Sequence, residues 1–231
     1  MTRQTPTFSM ELKKLPLFGL IAGVDEAGVA PLAGPVVAAA VILEPSTVGQ
    51  LRSSNKWWYR IRDSKMLTHA ARQELATQII DNCVSFGIGS ASVEEIDEIN
   101  IFHARMLAMK RALSNLKTVP QLVLVDGNHS IPNIECKQIC VVGGDAQILS
   151  IACASILAKV TRDDLLSKLH EEFPEYGFDK HKGYPTKLHY ERLKQFGPCP
   201  QHRRSFNPVK LLLTTSRQSF LRSSPSIAAK G

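Results

Sequence analysis

Two adjacent carboxylates lie between two apolar segments of the chain. Asp25 and Glu26 follow the run Leu20–Val24, and a second apolar run covers Val36–Leu43. Both runs contain β-branched residues and are bounded by Gly or Pro, which predicts two buried strands. Burying an ionised carboxylate is unfavourable unless it is paired, and a hard cation is the simplest partner. The pair therefore predicts a cation site at the end of the first strand; a turn containing Asp25, Glu26 and Gly28 is the alternative.

The composition is typical of a globular protein without membrane segments. Of the 231 residues, 44% are hydrophobic and 21% are charged, which suits one domain with extensions. No apolar run approaches the ~18 residues of a membrane span. Residues 1–17 contain no apolar segment of the kind found in signal peptides. We therefore expect a cytoplasmic, monomeric protein with no membrane partner.

The five cysteines form no CxxC motif, and their odd number favours free thiols over disulfides. A zinc site built from Cys136, Cys140, Cys199 and His202 is the alternative, although this spacing matches no common zinc pattern.

The basic residues are concentrated at the C-terminal end. The net charge is +7, yet residues 192–231 contain eight basic residues and no acidic one, so residues 1–191 sum to −1. Such asymmetry predicts a polyanionic partner. A basic tail that only improves solubility is the alternative.

Strands cluster early in the chain and later alternate with helices, which is typical of an α/β fold with a mixed sheet. The predicted strands are Leu20–Val24, Val36–Leu43, Val84–Ala91, Gln121–Val125 and Lys137–Val142. Predicted helices begin at Thr68, at the capping box of Ser92 and Glu95, and at Ile148, and they end near Cys83, Lys117 and Phe173. The expected organisation is a loose lead-in over 1–17, a main domain over 18–207 with a loop at 46–67, and a basic, Ser-rich tail over 208–231.

Two further carboxylates follow predicted strands. Asp126 comes after Gln121–Val125, and Asp145 comes after Lys137–Val142. Ligands of open α/β sheets bind at the carboxyl ends of strands, so these side chains would meet Asp25 if the strands are neighbours. Each has a simpler alternative, because Asp126-Gly127 is a common turn dipeptide and Asp145 could cap the following helix.

Carboxylates brought together in this way require a counter-charge. Two of them ~4 Å apart repel by roughly 4 kcal/mol at an effective dielectric near 20. Oxygen ligands favour Mg²⁺ or Mn²⁺, and two such ions form the usual clamp for displacement at phosphorus. Because side chains alternate along a strand, Asp25 and Glu26 cannot both face one patch if the strand continues straight through them. We therefore expect one of the two to lie past the strand end or to contribute differently.

Several motifs, taken in order, resemble the ribonuclease HII family. The resemblance covers residues 18–207 and is carried by Gly23–Gly28, Pro31–Pro35, Asp63–Leu67, Val125–Asn128, Gly144-Asp145, Ser150–Asp163 and His181–Thr186. It implies an RNase H-like mixed five-stranded sheet flanked by helices, with a C-terminal helical extension. It also implies cleavage of RNA in RNA–DNA hybrids and incision at single ribonucleotides in duplex DNA, leaving 5′-phosphate and 3′-hydroxyl ends.

The resemblance also implies roles for particular residues. Four of them, Asp25, Glu26, Asp126 and Asp145, would bind two Mn²⁺ or Mg²⁺ ions. Tyr184 would stack near the ribose and sense the 2′-hydroxyl, which separates RNA from DNA. Contacts to the substrate are implied for Gly28, Val29, Ala30, Ser64 and Lys65. For Tyr184 the alternative is a packing aromatic, for Lys65 an ordinary surface lysine, and Asp163 is interpreted as structural.

One departure from the family pattern concerns the loop after Asp25 and Glu26. The family usually has Gly-Arg-Gly where this chain has Gly28, Val29 and Ala30. Valine cannot replace a guanidinium, and alanine tolerates a positive φ poorly. An RNase H-like nuclease with altered junction selectivity is therefore one alternative function. A non-catalytic nucleic-acid-binding module that uses the basic C-terminal region is the other.

Overall fold

The computed structural model describes residues 5–62, 64 and 67–214. The strands are β1 (Ile21–Ala27), β2 (Val36–Leu43), β3 (Cys83–Ala91), β4 (Leu122–Asp126) and β5 (Lys137–Val141). The helices are α1 (Ser9–Phe18), α2 (His69–Asn82), α3 (Val93–Ser114), α4 (Leu149–Glu172), α5 (Phe178–His181) and α6 (Lys187–Phe196). Short 3₁₀ turns lie at Trp57–Arg60, Gly144–Ala146 and Pro174–Tyr176. None of the helices in these ranges is long and apolar enough to cross a membrane.

The five strands form one mixed sheet in the order β3-β2-β1-β4-β5. The pairs β3–β2 and β2–β1 are antiparallel, whereas β1–β4 and β4–β5 are parallel. Helices cover both faces, and α5 and α6 extend the fold at its C-terminal end. The predicted mixed five-stranded sheet with flanking helices is therefore confirmed.

Strand β2 lies between two apolar layers, which explains its uninterrupted apolar sequence. Ala39, Val41 and Leu43 face the layer formed with α2 and α4. Residues of the opposite parity, such as Ala38 and Ile42, face the layer formed with α3. All eight residues of the strand are buried. The centre of the sheet is therefore packed on both faces, and water has access mainly at the ends of the strands.

Helix α4 packs directly onto β1 at a glycine. A Cβ atom on Gly23 would overlap the backbone carbonyl carbon of Ser150, so no side chain fits between helix and strand. This contact brings the first half of α4 beside the carboxyl end of β1. Gly23 therefore serves the close approach of two backbones.

The lead-in expected over 1–17 is not loose throughout, because α1 occupies Ser9–Phe18. The carboxylate of Glu11 is buried and accepts a hydrogen bond from the Ser150 amide at 2.9 Å between N and O. Ile148, the N-cap of α4, provides no side-chain cap. Glu11, which is 139 positions before Ser150, therefore satisfies the Ser150 amide in the first turn of the helix. A carboxylate is also favourable there because the helix dipole is positive at its N-terminus.

Two elements differ from their predicted bounds for local reasons. β1 continues to Ala27 because it pairs with β2 as far as the Ala27–Val37 pair. The capping box of Ser92 and Glu95 is present, but α3 is kinked at Asn100, whose φ is 63°. The Asn100 side chain accepts hydrogen bonds from the amides of Phe102 and His103 and so starts the second half of the helix.

The start of the expected tail is part of the folded structure. Residues 209–214 are helical, and Val209 is fully buried against Leu32 and Leu193. Arg203, which the sequence analysis counted within the basic end, is also completely buried. The remainder of the tail, 215–231, lies outside the described residues.

Replacing Gly23 by alanine is expected to lower the free energy of unfolding by about 3 kcal/mol, because the added methyl group meets backbone that cannot move aside. Gly144→Ala is the matched control: its methyl group would meet side-chain atoms of Ile151 and Asp126 and no backbone atom. Urea unfolding followed by circular dichroism measures both variants. Equal losses would contradict the close-packing argument.

Candidate active site

A cleft of about 360 Å³ lies where β1 and β4 end. All four predicted acidic residues line it, together with the predicted substrate contacts other than Lys65. The lining residues are Asp25, Glu26, Ala27, Gly28, Val29, Ala30, Ser64, Asp126, Asp145, Ser155, Lys159 and Tyr184. The structure therefore brings together residues from the first strand, the strand β4, the turn before α4 and the C-terminal extension.

Asp25 and Glu26 reach this cleft from opposite faces of β1. Asp25 pairs across the sheet with Ala39, and its carboxylate is hydrogen-bonded by Ser155 of α4. Glu26 pairs with Ala38 and contacts Arg105 of α3 at 3.3 Å between Nη1 and Oε1. Asp25 and Glu26 contribute differently, which is one of the two expected arrangements, because they lie on opposite faces and neither is past the end of β1. Its neighbour β4 stops at Asp126, so the cleft is open to both faces of the sheet at this end.

Asp126 and Asp145 are held at neighbouring strand ends. Oδ1 of Asp126 accepts a hydrogen bond from the Gly144 amide at 2.6 Å, which ties the end of β4 to the turn that carries Asp145. Asp145 is buried in that 3₁₀ turn and lines the cleft. It is not the N-cap residue of α4, which is Ile148. Gly127 has a φ of 100°, so Asp126 both precedes a turn and lines the cleft.

Burial and the charges of neighbouring carboxylates make the ionised forms of Asp25 and Glu26 unfavourable. Burial, followed by the charges of Glu26 and Asp126, raises the pKa of Asp25 well above its usual value. Burial also raises the pKa of Glu26, and Asp126 adds to this, while the guanidinium of Arg105 opposes both. The cleft therefore has an excess of negative charge that a cation would relieve.

The donor set fits a hard divalent cation. All four side chains offer carboxylate oxygens, which Mg²⁺ and Mn²⁺ prefer. Oε2 of Glu26 is buried and has no hydrogen-bond partner among the described residues. Within residues 5–62, 64 and 67–214, however, no three His, Cys, Asp or Glu side chains form a ready-made metal site. One oxygen of each of Asp25, Glu26 and Asp126 accepts a hydrogen bond from a protein donor, which holds these side chains at the cleft.

In the loop after β1, Gly28 has a conformation that favours glycine. Its φ is 100°, and a Cβ atom there would overlap the side chain of Arg162, so glycine is required on both counts. Ala30 does not have a positive φ, so the conformational concern raised by the missing glycine does not apply. Val29 is half-buried against the apolar layer that contains α3. Valine is therefore accommodated by packing, while the guanidinium usual in the family is absent.

Tyr184 and Ser64 also line the cleft. Tyr184 is partly exposed, and the charged ends of Lys159 and Arg162 lie 5.6 and 5.8 Å from its ring centroid. Ser64 is buried, with its Oγ 3.0 Å from Oγ of Ser155. Lys65 lies outside the described residues. Tyr184 is therefore a cleft residue in a cationic setting and does not belong to the apolar core.

Three further residues of the site had no predicted role. Arg105 pairs with Glu26, Ser155 bonds to Asp25, and Lys159 lines the cleft. Ser155 and Lys159 belong to a segment that carried the family resemblance, which was a usable signal. Arg105 had none, because its contact with Glu26 depends on how α3 docks. Asp163 binds Lys159 at 2.6 Å and Arg72 at 3.6 Å, in keeping with its structural interpretation.

Three buried histidines support the segment that carries Tyr184. Nδ1 of His189 lies 2.9 Å from the Tyr184 carbonyl and must donate to it, so Nε2 of His189 accepts from Nε2 of His202 at 3.0 Å. Nδ1 of His202 then accepts from the Cys199 amide at 3.0 Å. His181 stacks on His189 with a centroid separation of 4.3 Å. The acceptor roles of His189 Nε2 and His202 Nδ1 require these two imidazoles to be neutral.

This arrangement also bears on the zinc alternative. Cys199 and His202 are neighbours, with Sγ 3.1 Å from Nδ1, but Cys136 and Cys140 pack against the α3 layer. The described part of the chain contains no ready-made site of three metal-binding side chains. The four residues therefore do not form a zinc site.

The sheet order and a cleft lined by carboxylates at the strand ends define the RNase H-like class of nucleases. The family model described as Ribonuclease HII matches residues 22–209. Ribonuclease HII of Parvibaculum lavamentivorans is 48% identical over 209 residues, covering 90% of this chain and 74% of that protein. Ribonuclease HII of Paraburkholderia xenovorans is 52% identical over 191 residues, covering 83% and 73%.

Structural comparison agrees with the sequence comparison. The crystal structure of ribonuclease H2 from Pyrococcus horikoshii is similar, with a TM-score of 0.70 at 29% identity, over 86% of this chain and 99% of that one. The chain therefore belongs to the ribonuclease HII family. It is a metal-dependent endoribonuclease of the class that acts on RNA–DNA hybrids.

The histidine network predicts that the protein loses stability in mild acid. Burial lowers the pKa of His189 to about 4 and that of His202 to about 3, so the unfolded chain takes up protons first. The stabilisation is complete above about pH 6.5, the usual histidine value, and is lost as the pH falls towards 4. We expect a loss on the order of 3 kcal/mol from His189 alone.

Urea unfolding between pH 7.5 and 4.5 measures this loss. His69→Gln is the control, because His69 is exposed and its replacement should leave the pH profile unchanged. Unfolding free energies that stay constant between pH 7 and 5 would contradict the neutral-histidine network.

Proposed function

We propose that this protein incises duplex DNA at single embedded ribonucleotides, in addition to cleaving the RNA strand of hybrids. Hydrolysis is proposed to leave 5′-phosphate and 3′-hydroxyl ends. The observation that supports this best is the shared cleft, where four acidic residues meet Tyr184 and the backbone of 28–30. The same cleft thus offers a place for a phosphodiester and a place for its sugar.

The proposed chemistry is hydrolysis by a water molecule in line with the leaving oxygen. Two Mg²⁺ or Mn²⁺ ions held by Asp25, Glu26, Asp126 and Asp145 would supply activation of that water and neutralise charge at phosphorus. Protein groups orient these ligands: Ser155 binds Asp25, Arg105 binds Glu26, and the Gly144 amide binds Asp126. Such contacts limit the rotation of side chains that repel one another.

Recognition of the ribonucleotide is assigned to the rim. Tyr184 presents a partly exposed ring next to Lys159, which suits stacking on a sugar beside a phosphate. Residues 28–30 line the same cleft and offer backbone groups to the 2′-hydroxyl. That hydroxyl is both donor and acceptor, so polar groups fixed in position can distinguish RNA from DNA. Ser64 and Lys65 are proposed to contact the backbone phosphates.

The alternative of altered junction selectivity rests on Val29. Valine supplies no guanidinium to the substrate, so discrimination would depend on backbone groups and Tyr184 alone. A non-catalytic module is disfavoured because all four acidic positions are occupied and line one cleft. We also propose a monomer that acts without a membrane partner.

Cleavage assays with Mg²⁺ or Mn²⁺ separate these functions. The substrates are an RNA–DNA hybrid, a duplex with one ribonucleotide and an all-DNA duplex of the same sequence. Nicking at the ribonucleotide, with the DNA control intact, is expected. Cleavage of the hybrid alone would favour altered selectivity, and binding without any cleavage would favour the non-catalytic module.

Asp126→Asn is expected to abolish turnover while the fold is retained. Asparagine keeps the oxygen that accepts from Gly144 but removes the charge needed to bind a cation. Stability should be unchanged or raised by about 1 kcal/mol, because repulsion with Asp25 is relieved. Cleavage rates and thermal unfolding are measured side by side with Asp164→Asn, the same change at an exposed position. Full activity in Asp126→Asn would remove Asp126 from the mechanism.

Deleting 215–231 is expected to weaken nucleic-acid binding and reduce its salt dependence. The deletion begins there because Val209 belongs to the core. Each phosphate contact contributes about 0.9 to the slope of log affinity against log salt, so loss of Arg217, Arg222 and Lys230 should lower the slope by up to about 2.7. A full-length variant with these three residues changed to glutamine is the matched control and should behave like the deletion. An unchanged slope would show that this segment does not bind the substrate.

A further inference from the structure

Two buried arginines join the segments that form the rim of the cleft. Arg162 of α4 and Arg203 are both completely buried, and both guanidinium groups donate to backbone carbonyls. Arg162 donates to Ala33, Pro35 and Lys182 and so joins the loop after β1 to the Tyr184 segment. Arg203 donates to other carbonyls of the same loop.

The contacts of Arg203 concentrate on the residues that line the cleft. Its Nη2 donates to the Gly28 carbonyl at 2.6 Å, and its Nη1 donates to the Val29 carbonyl at 2.9 Å. Nε and Nη2 both donate to Gly34 at 3.0 and 2.9 Å. The Arg203 amide also donates to the Leu32 carbonyl at 2.9 Å. One side chain therefore fixes two consecutive peptide groups at the edge of the cleft and the far end of their loop.

Fixing these carbonyls also fixes the amides that follow them. In a trans peptide the C=O and N–H bonds point in opposite directions, so the N–H groups of Val29 and Ala30 point away from Arg203. Neither amide has an acceptor among residues 5–62, 64 and 67–214. Since 28–30 line the cleft, these two donors are available to a bound ligand.

The geometry requires arginine. A planar guanidinium with five donors can serve several carbonyls at once, whereas a lysine ammonium is a compact group on a flexible stem. Burial is also unfavourable for the charge, because desolvation and the neighbouring Arg162 lower the pKa of Arg203 to about 9. The charge is nevertheless kept there, and backbone carbonyls of the loop satisfy its donors.

We propose that Arg203 is the positioning residue for ribonucleotide selectivity: it orients the Val29 and Ala30 amides towards the 2′-hydroxyl side of the substrate. This inference rests on the proposed function of the cleft. Arg203 does not touch the substrate, because it has no exposed surface. It accounts for recognition by a loop whose own side chain at position 29 is apolar.

The test compares the intact protein with Arg203→Lys and Arg203→Gln. The half-saturating concentration of a single-ribonucleotide duplex is measured in single-turnover cleavage, and the all-DNA duplex of the same sequence is measured as a competitive inhibitor. The inhibition constant of the DNA duplex, divided by the half-saturating concentration of the ribonucleotide duplex, reports selectivity. A smaller fraction of folded enzyme leaves this ratio unchanged. Both variants should reduce this ratio about tenfold, the effect of one or two lost hydrogen bonds, while inhibition by DNA stays within about twofold.

Arg204→Ala is the matched control, since Arg204 is the adjacent arginine and is exposed. This change should weaken the binding of the ribonucleotide duplex and of the DNA duplex equally, and so leave the ratio unchanged. An unchanged ratio in folded Arg203→Lys would overturn the proposal, because the arginine would then act only as a structural contact.

Hydrogen exchange gives a readout independent of cleavage. In the intact protein, the amides of Val29 and Ala30 should become protected when the ribonucleotide duplex binds, and less so with the DNA duplex. Equal protection by both duplexes would overturn the proposal even if the variants fail to fold.

If the intact enzyme cleaves hybrid but does not distinguish the two duplexes, the proposed ribonucleotide incision fails. Faster exchange of 28–34 in Arg203→Lys would still establish the contact in that case.

Discussion

Repulsion between carboxylates at the ends of β1 and β4 is the constraint on which the rest of the site depends. The register places Val24 opposite Val125, so the next residues, Asp25 and Asp126, lie side by side on neighbouring parallel strands. Both strands are packed on two faces, so these charges cannot move apart without disturbing the core. Burial first, and then the charges of Glu26 and Asp126, raise the pKa of Asp25. The cleft therefore has an excess of negative charge that divalent cations would relieve.

The surroundings of the cleft hold these unfavourable charges in place with directed donors. Ser155 and Arg105 approach from helices on opposite faces of the sheet, and the Gly144 amide joins Asp126 to the turn of Asp145. The loop beside the acids is fixed by Arg203, a positive charge that donates to carbonyls. Opposite charges are thus kept close without neutralising the whole set, which preserves the affinity for a cation.

Apolar runs and capping residues made most of the fold predictable, because strand burial and helix starts are local properties. β2 was predicted at its observed bounds, and the helices starting after Thr68 and Ser92 begin where their caps indicate. Errors arose where a distant contact decides. α1 forms beside the start of α4, and β1 is longer than predicted because β2 continues to pair with it. The basic end of the chain was misread in part, because Arg203 is buried.

The sequence alone determined the strands, the acidic residues that follow or end them, and membership of a family, since these depend on residue type and order. Only the tertiary structure decided that Asp25 and Glu26 reach one cleft from opposite faces and that Arg203, 175 positions from Gly28, holds the loop beside them. The physical reason is that patterns along the chain encode periodicity and caps. A contact between distant residues depends on how helices dock onto the sheet, which no local pattern specifies.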